Sequence, residues 1–200
     1  MKKVSNDVFG ISIVLESIKK GEIVIFPTDT VYGIGCDPYN QHAVDKIYQI
    51  KKREKVKLLP VLGYSRQILE NVVEFNDVAK KITDKFWPGS LTIVLPLKDK
   101  KLKNLCGDAN TLAVRVPNNK SALLLLKECK LIIGTSANIS GEKPITDPKD
   151  LKNNVQNCDI FLNGGAIKNT STSTIIQIEN DKIKILRKGV ISENDLVEAL

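Results

Sequence analysis

Apolar residues follow two periods along this chain. Near the start, Val8, Ile11, Leu15 and Ile18 recur at helical spacing, and Gly21 follows. That spacing predicts a first amphipathic helix closed by the glycine, and not a secretory leader, because no continuous apolar segment follows Lys2 and Lys3. Short β-branched and aliphatic runs then predict strands at 22–26, 58–62, 91–95, 111–116, 131–133, 160–162, 174–178 and 182–186. Helical patterns fall between most of them. Residues 40–51 carry Ala43, Ile47 and Ile50 on one face, 77–86 follow Asn76 as a cap, and 118–129 contain four consecutive leucines. A last helix starts after Ser192, with Asp195 placed for a capping box. Residues 175–186 read as a hairpin turning at 179–182. Strands and helices alternate through the middle, which predicts an α/β fold with a mixed, twisted sheet and helices packed on it. No repeat, low-complexity tract or linker interrupts the pattern, and the loop-like stretch 141–148 is too short for a boundary. Residues 1–200 are therefore expected to form a single domain.

Composition narrows the chemistry. The 200 residues are 42% hydrophobic, and no apolar run approaches the roughly 20 residues that span a bilayer. The expectation is a soluble, cytoplasmic protein with no membrane partner. The four cysteines, at 36, 106, 129 and 158, form no C-x-x-C pair, so reduced thiols are expected. The one histidine, His42, follows the cap residue Asn40 and is expected in a solvent-facing first turn. A His/Cys zinc site and His-activated nucleophiles are thereby disfavoured, and no metal-binding residues are assigned. A net charge of +7 favours polyanions, either nucleic acid or a nucleoside triphosphate. The lysine-rich run 98–103 reads as a solvated turn.

The common nucleotide motifs are absent. There is no G-x-x-x-x-G-K-[ST], no G-x-S-x-G, and the G-x-G at Gly33 and Gly35 is followed by Pro38 where the third glycine would stand. Four other segments stand out. FPTDTVYGIGC, 26–36, crowds small hydroxyls and glycines behind an apolar run. KKREKVK, 51–57, has five cations in seven residues at a helix end. LIIGTSANISG, 131–141, empties a buried strand into a loop suited to presenting backbone N–H groups to an anion. NTSTST, 169–174, enters a strand with five successive hydroxyl residues, and alternation sets Ser171 and Ser173 opposite Thr172 and Thr174. Arg115 lies inside an apolar strand and needs an anion, either a protein carboxylate or a ligand carboxylate or phosphate. Ligands of open α/β sheets bind beyond strand ends, so these segments together predict a cationic, hydroxyl-lined pocket.

FPTDTVYGIGCD, IYQIKKREKVKLLPVL, WPGSLTIVL, AVRVPN, GTSANISG, STII and ILRKG, in this order, resemble the YrdC/TsaC family in its short form. These are the threonylcarbamoyl-AMP synthases of transfer-RNA modification, and the matches run from about Gly21 to Gly189. The resemblance implies a mostly parallel, twisted sheet around a positively charged cavity. It implies a nucleotidyltransferase forming threonylcarbamoyl-AMP and pyrophosphate from L-threonine, bicarbonate and ATP. Mg²⁺ would be held mainly by the phosphates, and transfer RNA would be reached through a separate threonylcarbamoyl-transferase complex. By position, the family's ATP contacts fall on Lys51, Arg53, Lys57, Thr111, Ser136, Asn138 and Arg187, and its threonine contacts on Thr30, Arg115, Gly134 and Ser173. Lys51, Arg53 and Ser136 are the residues expected to stabilise the reacting phosphate. Glu54, Leu58 and Ser90 stand where the family usually has prolines, Asn119 where it often has histidine, and Gly134 where it usually has alanine. The alternative is an RNA-binding or ribosome-assembly protein of the same fold, using the positive rim of the cavity directly on RNA. The 5% aromatic content argues against base stacking.

Overall fold

The computed structural model describes residues 1–106, 110–151, 155, 157–168, 171–179 and 182–200. Its strands divide between two sheets where the sequence pattern predicts one. The first has the order β1 (Lys2–Ser5), β9 (Ile160–Asn163), β2 (Val24–Phe26), β3 (Gly33–Gly35), β8 (Thr135–Ser136). The second runs β11 (Lys182–Arg187), β10 (Thr174–Glu179), β5 (Leu91–Pro96), β6 (Thr111–Arg115), β4 (Val61–Gly63), β7 (Leu131–Ile133). Both sheets are mixed. Parallel pairs join β1 to β9, β2 to β9, β5 to β10 and β4 to β6, while antiparallel pairs join the other neighbours. The α/β class and the flanking helices are as expected. Among the described residues four strand pairs are parallel and five antiparallel, and three of the antiparallel ones, β2–β3, β5–β6 and β10–β11, join strands consecutive in the chain.

The helices form where caps and periodicity place them. Helix α1 (Val8–Lys19) is capped by Asp7, and it buries Ile11, Val14, Ser17 and Ile18. Its period is the expected one but its face is rotated, since Val8 is 88% exposed. Gly21 then turns the chain at φ +76°. Asn40 caps α2 (Gln41–Ile50) by accepting from Ala43 N, and His42 lies exposed in its first turn. After the one-turn α3 (Arg66–Leu69), Asn76 caps α4 (Asp77–Phe86), which has the predicted bounds. Helix α5 (Lys120–Cys129) starts two residues later than predicted because Asn119 serves as its cap. Ser192 and Asp195 form the expected capping box of α6 (Glu193–Val197). Helices α1 and α5 cover one apolar layer with Val24, Phe26, Leu62, Ile132, Ile160 and Leu162. A larger layer gathers Ile23, Ile25, Tyr32, Ile34, Ile47, Val61, Ile93 and Val114 with α2 and α4.

Three strands carry no sequence signature. Strand β1 buries only Val4, and it forms because its backbone pairs with β9. Strand β8 has two residues. Strand β3 is the Gly33–Gly35 segment, so the partial G-x-G is a close-packed strand and not a phosphate loop. A Cβ at Gly35 would lie 2.0 Å from the Ile133 carbonyl oxygen, so no larger residue fits without moving backbone. Strand β4 begins at Val61 and not at 58, since Pro60 has no N–H for the ladder. Hairpin β10–β11 pairs Glu179 with Lys182, and its turn residues 180–181 lie outside the described residues. Among the described residues no helix is long and apolar enough to cross a membrane.

Candidate active site

The loop after β2 is shaped by its own hydroxyls. Thr28 Oγ1 donates to Val31 O at 2.6 Å and accepts from the N–H groups of Thr30 and Val31. This local turn sends Thr30 inward, where it is 2% exposed. Arg115 reaches the same point from the end of β6. Its Nη1 donates to Thr30 Oγ1 at 3.2 Å, its Nε to Gly89 O at 2.8 Å, and its Nη2 to both oxygens of Asp29 at 2.7 Å. Asp29 also accepts from Ser90 Oγ at 2.9 Å and from Asn118 N at 3.0 Å. Burial pushes the Arg115 pKa down, and the Asp29 charge opposes that. The anion that Arg115 requires is thus a protein carboxylate, one of the alternatives the sequence leaves open.

Two further arginines converge on this space. Arg187, at the end of β11, donates through Nε and Nη2 to Ser173 O at 3.1 and 2.8 Å, and through Nη2 to Ser173 Oγ at 3.0 Å. Ser173 is buried, with its Oγ 2.9 Å from Thr92 Oγ1. Arg53 follows α2 and folds back on its own segment, giving Nε to Lys57 O at 2.7 Å and Nη2 to Leu58 O at 3.0 Å. Burial lowers the Arg187 pKa, and the charges of Arg115 and Arg53 lower it further. Arg187 thus lies within electrostatic reach of both other guanidinium groups.

That space is an open cavity of about 130 Å³ lined by Arg53, Arg115 and Arg187 with Thr28, Thr30, Thr92, Thr135, Ser136, Thr172 and Ser173. Among the described residues no carboxylate lines it. Positive charge without a lining acid, set among hydroxyls at strand ends, favours an anionic ligand. Among the described residues no group of three or more His, Cys, Asp or Glu side chains is placed to hold a metal ion.

Of the residues singled out from the sequence, Thr30, Arg53, Arg115, Gly134, Ser136, Ser173 and Arg187 meet at the cavity. Lys51, Lys57, Thr111 and Asn138 do not line it. Lys51 is sealed beneath the serine–alanine–asparagine loop, 1% exposed. Its ammonium donates to the Ser136 carbonyl and, at 2.8 Å, to Asn138 O, while its own carbonyl accepts from Ser140 N at 2.8 Å. It braces the loop from behind, and in this conformation it does not present its charge to the cavity. Burial, and next the Arg53 charge, bring its pKa down to about 8. Asn138 is also a brace, its Nδ2 closing the loop on Ile139 O at 2.9 Å and Glu142 O at 2.7 Å. Lys57 points to solvent beside Glu54, at 3.3 Å. Thr111 shares a face of β6 with Ala113 and Arg115, but lies about 13 Å along the strand from Arg115. Thr172 and Ser173 both line the cavity, because β10 starts only at Thr174, while Thr174 Oγ1 turns away to Ile191 O at 2.8 Å. Residues 169–170 of that hydroxyl run lie outside the described residues. Asp29 is the site residue that sequence reasoning missed. The signal was present, since an arginine in an apolar strand demands an anion and Asp29 is the one carboxylate in the 26–36 loop.

Comparison with known proteins shows the family to which the chain belongs. The family model Sua5_yciO_yrdC, described as "Telomere recombination", matches residues 16–189. A provisionally named threonylcarbamoyl-AMP synthase of Methanocaldococcus jannaschii is 40% identical over 189 residues, covering 89% of this chain and 86% of that protein. The threonylcarbamoyl-AMP synthase of Pseudoalteromonas translucida is 34% identical over 179 residues, covering 86% of this chain and 95% of that protein. P. abyssi Sua5, in a structure complexed with L-threonine, superposes with a TM-score of 0.92 at 29% identity. That match covers 100% of this chain and 60% of the Sua5 chain. E. coli YciO, at 22% identity and a TM-score of 0.88 over 98% of both chains, shares the fold. By the family match and these identities, the chain belongs to the Sua5/YciO/YrdC family.

Proposed function

We propose that this protein is an L-threonylcarbamoyladenylate synthase, which joins L-threonine, bicarbonate and ATP into threonylcarbamoyl-AMP and pyrophosphate. The observation that carries the reading is the cavity itself, where three arginines and a ring of hydroxyls meet and no carboxylate of the described residues lines the space. The names of the relatives point the same way.

The amine of threonine combines with bicarbonate to give a carbamate and water. A carbamate oxygen then attacks the α-phosphorus of ATP, the bond to the β-phosphate oxygen breaks, and pyrophosphate leaves. The residues of the chain bind and neutralise. Arg115 and Thr30 receive the amino-acid carboxylate, Ser173 borders the same subsite, and Arg53 and Arg187 face the polyphosphate. Positive charge already fixed in the cavity stabilises developing charge on the phosphoryl oxygens without any side chain changing protonation state. The Ser136 hydroxyl adds a donor from a loop held in place by Lys51 and Asn138 from behind, whereas the N–H groups of Gly134, Ala137, Asn138 and Ser140 are already given to protein carbonyls. Mg²⁺ would be held by the phosphates of the nucleotide and neutralise part of their charge, because among the described residues the cavity lining offers it no carboxylate. The adenylate then passes to a transferase acting on transfer RNA.

The test is pyrophosphate release from ATP and Mg²⁺, with and without L-threonine and bicarbonate. Release that needs both, and that falls away in Arg53→Ala, supports the proposal. A folded, ATP-binding protein that releases no pyrophosphate in their presence refutes it. Salt-dependent RNA binding by such a protein would favour the RNA-binding alternative.

A further inference from the structure

Arg115 is held by more contacts than an ionic ligand-binding residue needs. Its Nε is spent on Gly89 O, and its Nη2 sits between the two oxygens of Asp29. Only Nη1 turns toward Thr30 and the cavity, at 3.2 Å from the threonine hydroxyl. The fork that arginine commonly offers to a carboxylate is therefore already occupied from inside the protein. Asp29 is anchored in turn from two other segments, by Ser90 Oγ from the turn before β5 and by Asn118 N from the segment after β6. The Arg115–Asp29 pair has side-chain exposures of 7% and 13%, so solvent does not compete strongly for either group.

We infer that Asp29, supported by Ser90, is the positioning residue of the amino-acid subsite. It fixes Arg115 so that a single N–H edge, beside Thr30, receives one oxygen of the α-carboxylate of the substrate. This inference rests on the function proposed above and deepens it by naming the residue that sets how the carboxylate is recognised. Asp29 does not touch the ligand. Its carboxylate restricts how Arg115 can, and it offsets part of the arginine charge, so that the strongest uncompensated charges in the cavity are Arg53 and Arg187. The amino acid is thereby directed to one end of the cavity and the polyphosphate to the other.

The test compares the wild type with Asp29→Asn and Ser90→Ala. Calorimetry would measure binding of L-threonine, of L-threoninamide, which has no carboxylate, and of ATP; kcat and KM for threonine would be measured alongside. Asp29→Asn keeps the shape and removes the charge. Losing the charged clamp is expected to weaken L-threonine binding about 10- to 100-fold, the scale of a charge-assisted hydrogen bond. Threoninamide and ATP affinities should stay within about twofold, and KM should rise more than kcat falls. Ser90→Ala removes one support and should give a smaller loss, about threefold, in the same direction. If Asp29→Asn does not fold, Ser90→Ala decides the question alone. Unchanged threonine affinity, or equal losses for threonine, threoninamide and ATP, would overturn the inference while leaving the proposed function standing. A wild type that binds ATP but no threonine would overturn both.

Discussion

Replacing Lys51 with methionine keeps the length of the side chain and removes its charge. Lys51 is 1% exposed, and its ammonium is held by the Ser136 carbonyl, by Asn138 O at 2.8 Å and by Asn138 Oδ1 at 3.4 Å. Burial outweighs these acceptors and lowers the pKa from 10.5 to about 8. That gap corresponds to about 3 kcal/mol. The folded protein thus releases this proton at a lower pH than the unfolded chain does. Between pH 8 and 10.5 the unfolded state binds more protons, so this group makes stability rise with pH. Methionine cannot titrate. The stability of the wild type, measured relative to Lys51→Met, should therefore be flat below about pH 7 and climb by up to about 3 kcal/mol through this window. At neutral pH two charge-assisted bonds of about 1.5–3 kcal/mol each oppose a desolvation cost of several kcal/mol, so the variant should differ from wild type by only about 2 kcal/mol. Urea unfolding at a series of pH values, followed by the fluorescence of Trp87, reads the difference directly. Catalysis should decline over the same window, because a neutral amine braces the loop carbonyls less well. Parallel stability curves for the two proteins, or a wild-type stability that falls relative to Lys51→Met as pH rises, would overturn this expectation.

Other predictions follow from single contacts. Gly35→Ala should destabilise the fold by about 3 kcal/mol or more, seen as a lower denaturant midpoint, because the new Cβ would lie 2.0 Å from a backbone oxygen and 2.8 Å from Ile132 Cγ2. Arg53→Ala should weaken ATP binding at least about 10-fold by calorimetry while changing stability by about 1 kcal/mol, since its fold contacts are two carbonyls of its own segment. Burial raises the thiol pKa values of Cys106 to about 11 and of Cys129 and Cys158 to about 12, and it raises Cys36 as well. All four cysteines are free. A thiolate-specific reagent at pH 8 should accordingly label the native protein slowly and all four positions quickly after denaturation.

Much of the fold was legible because its signals are local. Asn40, Asn76 and Ser192 each cap a helix through their own side chains, and the apolar runs at 91–95, 131–133 and 160–162 are strands by composition. What was hidden depends on distant partners. Strand β1 has one buried residue and exists through pairing with β9, more than 150 residues away, as Lys2↔Ile160 shows. Strand β3 is mostly glycine because Ile133 O and Phe26 crowd it, which no local pattern reports. The division into two sheets is likewise a matter of which short strands find one another. The candidate site behaved similarly. Residue types identified its arginines and hydroxyls, but they could not distinguish a cation that faces the cavity from one that braces its wall. Arg53 and Lys51 are two residues apart, but α2 ends at Ile50 and Lys52 between them takes φ +47°, so one side chain reaches the cavity and the other lies under the loop. Asp29 was overlooked for the complementary reason, since a carboxylate in a cationic site looks out of place until its partner Arg115 is seen.

The central claim is that the cavity assembles a carbamoylated amino acid on a nucleotide. Its most direct test supplies ¹³C-bicarbonate with L-threonine, ATP and Mg²⁺ to the wild-type protein and follows the carbonyl carbon by NMR and mass spectrometry. One labelled carbon is expected in a threonine–AMP conjugate, formed together with pyrophosphate and absent when threonine is left out. Label that stays in bicarbonate, while ATP is bound and the protein is folded, would contradict it.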